Sequence, residues 1–456
     1  MKTRQPIPQT WQALALILIS SCAQVDPKPD YDKARQLIEA STGRSEVFDP
    51  YASTMDTEEL DAIFIDGLTL DEALRLALLN NRDLQAEFQE IGIANADWIQ
   101  SRLLTNPSLD LLLRSPANGG RAMLEAILSF ELLELWRVPL RKESGRHQLE
   151  ATVLRVARRA GELLAETREA YYAAVAAKEL QLVTEENVEL VTRSFSAIES
   201  LHAAGAADAF DESLARGPLL AAQLALQAAH IKSSNTRRDL AKKLSTTRPF
   251  DDLLLTDSLP LPTTTSIDAD ALVQEALASR LDLQAIEEAI RALDTKVRLE
   301  ERKAWGDIAA GPSVERPTGS GSTLIGPSLS LTLPIFDQNQ AQVARAGFKL
   351  QQMVMLHEAA KVAVTQDVRA GVVRMNTTSS SLDFYEKQLL PQTERSHALV
   401  EDSYAGGRAS LLELLEVQRQ VLEARRAHVN LRLEAAVSSS DLERLVGVPL
   451  DKAAGE

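Results

Sequence analysis

The sequence predicts a mainly α chain with a small membrane β component: two internal repeats of long coiled-coil helices, plus four strands that contribute to a β-barrel. Three observations carry this. Apolar content is ordinary at 45% while aromatics reach only 4%, and Ala, Leu, Glu, Arg and Gln, the palette of long helices, dominate. The stretch "DEALRLALLNNRDLQA" (Asp71 to Ala86) returns without a gap as "DALVQEALASRLDLQA" (Asp270 to Ala285), 199 residues later. Short segments such as "SLSLTLP" (Ser328 to Pro334) alternate small polar and leucine residues, which is the period of a strand.

The first 21 residues read as a processing segment. Lys2 and Arg4 form a positive start, Ala13 to Ile19 a short apolar run, and "ISSC" (Ile19 to Cys22) has the form of a bacterial lipoprotein cleavage site. Cys22 is the only cysteine, so no internal disulfide is available, and acylation of its thiol and amine explains it best. Ala23 in place of Asp fits passage to the outer membrane. A lipid on Cys22 would anchor an N-terminal extension, residues 22–66, without spanning the bilayer. No later stretch is long and apolar enough for a transmembrane helix, so a membrane crossing would need strands.

Each repeat, 67–248 and 267–447, follows one order. A helix of about 35 residues comes first (Leu70 to Leu104; Ala269 to Ala304), with apolar residues at three- and four-residue spacing. Two strands follow: Pro107 to Arg114 with Ala122 to Leu135, then Gly306 to Glu315 with Thr323 to Leu333. A helix of about 60 residues comes next, Pro139 to His202 and Asn339 to Tyr404, on the order of 90 Å long. A glycine break, "HAAGAADAF" (His202 to Phe210) or "YAGGRASLL" (Tyr404 to Leu412), reverses it into a shorter helix, Phe210 to Leu244 and Ser410 to Val446. Carried forward at nearly the same offset, 200 residues, the repeat pairs Arg102 with Arg302 and Trp136 with Phe336. Pro- and Thr-rich residues 249–266 link the halves, and 448–456 form a tail. Helices of this length must pack lengthwise as coiled coils.

The strands set the environment. "MLEAILSFEL" (Met123 to Leu132) puts Leu124, Ala126, Leu128, Phe130 and Leu132 on one face and Glu125, Ser129 and Glu131 on the other. The last strand puts Leu329, Leu331 and Leu333 opposite Ser328, Ser330 and Thr332. Apolar and charged faces back to back fit a barrel wall with lipid outside and water inside. Four strands cannot close one, and an open edge in lipid leaves backbone groups unsatisfied, so several chains must contribute. Trp136, Trp305 and Phe336 fall at helix–strand junctions, as an interfacial aromatic belt would. Pro334 ends the last strand, and Asp337 or Asn339 is placed to cap the helix after it.

Other chemistries find no support. A net charge of −16 offers no basic stripe to nucleic acid. The six histidines are scattered without metal-ligand spacing, no nucleophile elbow occurs, and "GSG" (Gly319 to Gly321) lies in a hairpin loop where no phosphate cradle forms. No enzyme activity and no cofactor are expected beyond the lipid on Cys22.

With "LPIFDQNQAQVARA" (Leu333 to Ala346) and "YAGGRASLLELLEVQRQVLEARR" (Tyr404 to Arg426), this order resembles the TolC-type outer membrane factor family over about Leu68 to Gly447. These are exit ducts of tripartite efflux pumps and type I secretion systems. The chain departs from relatives at "ELWRVPLRK" (Glu134 to Lys142), which lacks a glycine often found there, and at Ala341, where Gly is common. The resemblance implies a homotrimer with a 12-stranded barrel in outer-membrane lipid and a helical tunnel through the periplasm. It implies a periplasmic adaptor meeting the tips at Gly205, Ala206, Gly406, Gly407, Arg408 and Ser410, and an inner-membrane pump behind it. It places Glu413 and Glu416 at a periplasmic gate, where six carboxylates about a threefold axis would attract cations; without it, both are ordinary solvated coiled-coil residues. The implied activity is passive conduction of small molecules or metal ions. The alternative is a lipid-anchored periplasmic coiled-coil scaffold or adaptor without a pore, soluble once the lipid is removed.

Overall fold

The computed structural model describes residues 24–52, 63–64, 66–115, 117, 119, 122–260, 268–317 and 322–450. The processing segment, Cys22, linker residues 261–266 and the tail from 451 lie outside the described residues.

Helix α1 (Lys28–Thr42) precedes the repeats. The expected helix from Leu70 to Leu104 is two helices, α2 (Leu70–Asn80) and α3 (Arg82–Arg102), because Asn81 is extended at ψ 118°. A Thr69–Glu72 capping box starts α2, supplying partners for amides that have none inside the helix. Strands β1 (Ser108–Arg114) and β2 (Met123–Glu131) follow, then α4 (Glu134–Ala203), a single helix of 70 residues. It starts before the expected Pro139, since the amides of Trp136 and Arg137 already bond the Leu133 carbonyl at 3.1 Å. Helix α5 (Ala209–Lys243) ends the first repeat, and a 3-10 turn, Phe250–Asp252, opens the linker. The linker is partly ordered against the repeat it leaves: Leu255 bridges Leu68 in parallel.

The second repeat is α6 (Ala269–Ser279), α7 (Leu281–Lys303), β3 (Ile308–Arg316), β4 (Leu324–Leu331), α8 (Gln340–Phe384), a π-helical turn (Tyr385–Leu389), α9 (Leu390–Ala405) and α10 (Leu411–Val446). The helix expected from Asn339 to Tyr404 thus carries a π turn. Pro391 explains it: with no N–H for the Lys387 carbonyl and a ring that would crowd it, the preceding turn must widen. Strand β4 ends at Leu331, so Leu333, expected in the strand, lies beyond it.

The four strands form one antiparallel sheet in the order β1-β2-β3-β4. Its register sorts the residues by face. Leu109 opposes Leu128, Leu111 opposes Ala126 and Leu113 opposes Leu124; Phe130 opposes Ala310, which opposes Leu329, and Ile308 opposes Leu331. Arg316, at the hairpin end, is the one charged strand residue on that face. The other face pairs Ser108 with Ser129, Glu125 with Glu315, and Gly311 with Ser328. Like charges directly opposite repel, so the Glu125–Glu315 pair favours a face bathed in water. Gly311 is required sterically: a Cβ there would collide with the Leu128 carbonyl oxygen.

By their contacts the described residues within the following bounds group into two units. One (Met1–Lys33, Gln89–Leu154, Gln284–His357) holds the sheet and the helix ends that feed it. The other (Ala34–Phe88, Arg155–Leu283, Glu358–Glu456) holds a core in which Leu272, Val273 and Ala276 of α6 pack on Val364, Val368 and Val372 of α8 and on Leu442 and Leu445 of α10. Among the described residues no helix is long and apolar enough to cross a membrane.

Candidate functional site

The sheet presents an apolar face that no described residue covers: Leu111 and Leu329 are each 65% exposed, and Leu124, Phe130 and Leu331 are exposed as well, with Leu128 half-buried. Its outer strands, β1 and β4, each pair on one side only. Leu333 is also exposed, past the end of β4. Below the sheet, Trp136 sits in the first turn of α4, while Trp305 and Phe336 lie in the connections at the other junctions, 71% and 93% exposed.

Each junction is pinned by polar contacts. Arg137, almost buried, donates to Asp307 at 2.5 Å and to the Gly306 carbonyl, tying the start of α4 to the start of β3. Arg141 donates to Glu134 at 2.7 Å and to the Ser101 carbonyl at 2.9 Å. Asn339 stands at the start of α8, but its side chain does not cap that helix. It adopts φ 58°, which Asn tolerates better than most residues, and donates to the Glu300 carbonyl at 2.8 Å and carboxylate at 2.9 Å. Asp337 accepts the Asn339 amide at 2.9 Å. Burial alone would raise the Glu300 pKa, but donors from Asn339, Lys303 and Lys296 outweigh it and hold the carboxyl at about 2.

The two tips share one geometry, 202 residues apart. At the first, Ala206 donates to the Leu201 carbonyl at 2.8 Å and Gly205 turns at φ 73°; at the second, Arg408 donates to the Ser403 carbonyl at 2.8 Å and Gly407 turns at φ 69°. Gly takes that left-handed position without a Cβ penalty. Asp208 and Ser410 then cap the return helices, each in a capping box. Gly205, Ala206, Gly406, Gly407, Arg408 and Ser410 are all exposed. Ile198, Ala215 and Leu411 form a small core just behind, joined by Phe195 and Tyr404.

Glu413 and Glu416 begin α10, and both carboxylates have partners in their own helix. Glu413 accepts from the Ser410 amide at 2.7 Å and hydroxyl at 2.9 Å, so it is half of the capping box; these bonds lower its pKa. Glu416 takes the Arg419 fork at 2.7 and 3.0 Å and Gln420 at 3.0 Å, which brings it down to about 2.

One pair of residues escaped the sequence reading. Asn81, 3% exposed, accepts the Leu84 amide at 2.9 Å and donates to the Lys243 carbonyl at 2.8 Å at the end of α5. Arg280, its equivalent in the second repeat and 8% exposed, donates to the Leu445 carbonyl at 2.9 Å near the end of α10 and pairs with Asp282 at 2.6 Å. Both residues break a helix in order to hold the last carbonyls of the closing helix of their repeat. Their signal was the misfit inside the aligned stretch, Asn against Arg between Ala-Leu and "DLQA".

A sequence model described as outer membrane efflux protein matches residues 73–245 and 272–448. The cobalt-zinc-cadmium resistance protein CzcC of Cupriavidus metallidurans is 21% identical over 383 residues, spanning 83% of this chain and 90% of that protein. The probable efflux pump outer membrane protein TtgC of Pseudomonas putida is 23% identical over 472 residues, 95% of this chain and 94% of that one. Among solved structures, the Campylobacter jejuni CmeC outer membrane channel superposes with a TM-score of 0.71 at 18% identity, covering 88% of this chain and 90% of that one. Long helices feeding a small open sheet are therefore the architecture of an efflux channel, not of an enzyme or of a scaffold without a pore. The chain belongs to the outer membrane efflux protein family.

Proposed function

We propose that three copies of this chain close their sheets into one 12-stranded barrel and act as the exit duct of a tripartite efflux pump. The observation that carries this is the open sheet itself, apolar on one face but for Arg316, with the charged and serine residues gathered among apolar ones on the other, and with each outer strand paired on one side only among the described residues. In lipid such edges must be joined, and the threefold arrangement supplies neighbours for β1 and β4 alike. Leu124, Leu128, Phe130, Leu329 and Leu331 then face lipid; Leu333 continues the apolar surface below β4; Trp136, Trp305 and Phe336 sit at the interface. Exposed apolar residues at heptad spacing, Phe210, Leu224 and Ile231 on α5 and Phe348 and Met355 on α8, favour further helical contacts between copies.

In this reading Cys22 carries the lipid anchor, the two tips meet a periplasmic adaptor coupled to an inner-membrane pump, and Glu413 and Glu416 line the periplasmic gate. The cargo comes from the pump. Names among the relatives range from cobalt-zinc-cadmium resistance to toluene efflux and pyoverdine export, so we assign small molecules or metal ions as a class.

The test is the mass of protein extracted from membranes in mild detergent, corrected for bound detergent. A particle of about 150 kDa, three copies of the 49.9 kDa chain before processing, is what the barrel needs. A monomer that stays soluble without detergent would remove the channel. Incorporation of labelled fatty acid that persists in Cys22→Ser would remove the lipid anchor separately.

A further inference from the structure

Two arginines at matching places beneath the sheet lie against tryptophan rings and, among the described residues, have no carboxylate to answer them. Arg102 is the last residue of α3 and Arg302 the last but one of α7, and the repeat alignment makes them equivalent. The Arg102 guanidinium carbon is 4.8 Å from the centre of the Trp98 ring, and that of Arg302 is 4.7 Å from the centre of Trp136. The rings come from different elements, so what recurs is an arginine in the last turn of the helix that leads to the sheet. Arg302 spends one donor on the Trp136 carbonyl. Among the described residues neither arginine makes an ion pair, whereas Arg137, Arg141 and Lys303 beside them are matched to Asp307, Glu134 and Glu300 at 2.5, 2.7 and 2.9 Å. Of the exposed carboxylates near them in sequence, Asp97, Asp110 and Glu301 pair with neither, and Asp307 is taken by Arg137.

A guanidinium stacked on a ring stays charged and keeps its N–H edge open, in the planar fork that fits a phosphate. The surroundings are those of a bilayer interface: Trp305 and Phe336, with Ile335 67% exposed, stand at the same junctions. We propose that Arg102 and Arg302 bind the phosphates of acidic phospholipids in the periplasm-facing leaflet of the outer membrane. The inference rests on the reading of the sheet as a membrane wall. It commits to that leaflet because α3 and α7 meet the sheet at the end opposite the β1–β2 and β3–β4 hairpins, so the outer leaflet and its lipopolysaccharide phosphates lie a sheet's length away.

The experiment uses the full chain in detergent: wild type, Arg102→Gln with Arg302→Gln, and Lys178→Gln, an exposed cation of α4 well away from the junctions. Phosphatidylglycerol, phosphatidylcholine, lipopolysaccharide and inorganic phosphate are titrated in turn, with bound lipid counted by native mass spectrometry and the unfolding midpoint followed. Wild type and Lys178→Gln should bind phosphatidylglycerol about tenfold more tightly than phosphatidylcholine, and the double variant should lose that preference. Should the double variant fail to fold, Arg102→Lys keeps the charge without the fork and should recover only part of the preference. An unchanged preference in these variants, tighter binding of lipopolysaccharide, or an equal response to inorganic phosphate would overturn the proposal while leaving the channel standing. A protein that needs no detergent and binds no phospholipid would overturn the membrane wall instead.

Discussion

Glu416 holds its charge because Arg419 grips it, and Glu413 because it caps α10. Both carboxyls are lowered, Glu416 to about 2, so a gate built on them should keep its cation selectivity from pH 7 down to about pH 4, where an ordinary carboxylate is already titrating. Reversal potentials in planar bilayers check this. Glu413→Gln is the variant to compare, since Gln still serves a capping box; cation selectivity unchanged in that variant would take Glu413 out of the gate. At the junction, Glu300 follows the same sign. Its folded-state pKa of about 2 lies below the unfolded value, so its stabilisation is complete above about pH 4.5 and is lost as the pH falls towards 2. Asn339→Ala removes two of its donors and a residue suited to φ 58°, and should cost about 1–2 kcal/mol. A denaturant midpoint unmoved by that change would show that the junction does not depend on it.

At the scale of elements, each repeat closes on itself through the residue that breaks its first helix. Arg280→Ala should uncap α10 and leave Asp282 without its partner, at a cost of about 2–3 kcal/mol, read as faster amide exchange at the ends of α6 and α10. Asn81→Ala should do the same to α2 and α5 through loss of its bonds to Leu84 and Lys243. In the sheet, Gly311→Ala forces a methyl group into the Leu128 carbonyl. It should part β2 from β3 and lower the yield of assembled protein severalfold; normal assembly would mean that the strands can shift register.

At the scale of the whole molecule, the described residues of one chain form a sheet with two open edges, which in lipid need strands from another chain. Leu331→Arg puts a charge on the apolar face and should cost roughly 2–4 kcal/mol if that residue lies near the bilayer midplane. The yield of membrane-inserted protein should fall accordingly, and an undiminished yield would place Leu331 off the lipid face.

Much of this was legible from residues alone. Period-two alternation in Met123 to Glu131 and Ser328 to Leu331 gave the strands, and the recurrence of "DLQA" gave the two repeats. The glycine breaks gave the tips, because a tight reversal after a helix needs the left-handed backbone. These are local signals, and local sterics fix them. The sequence also predicted one uninterrupted helix where Asn81 and Arg280 divide it, and a plain cap where Asn339 reaches back to Glu300. Those outcomes depend on carbonyls and carboxylates more than 35 residues away, brought within hydrogen-bond reach only when helices pack. The π turn before Pro391 lies between these cases, since proline announces a disturbance but not its form. By itself, then, the sequence determined which elements form and how often they recur. Only the tertiary structure decided which side chains end them and hold them together, because a hydrogen-bond partner distant in sequence is chosen by packing.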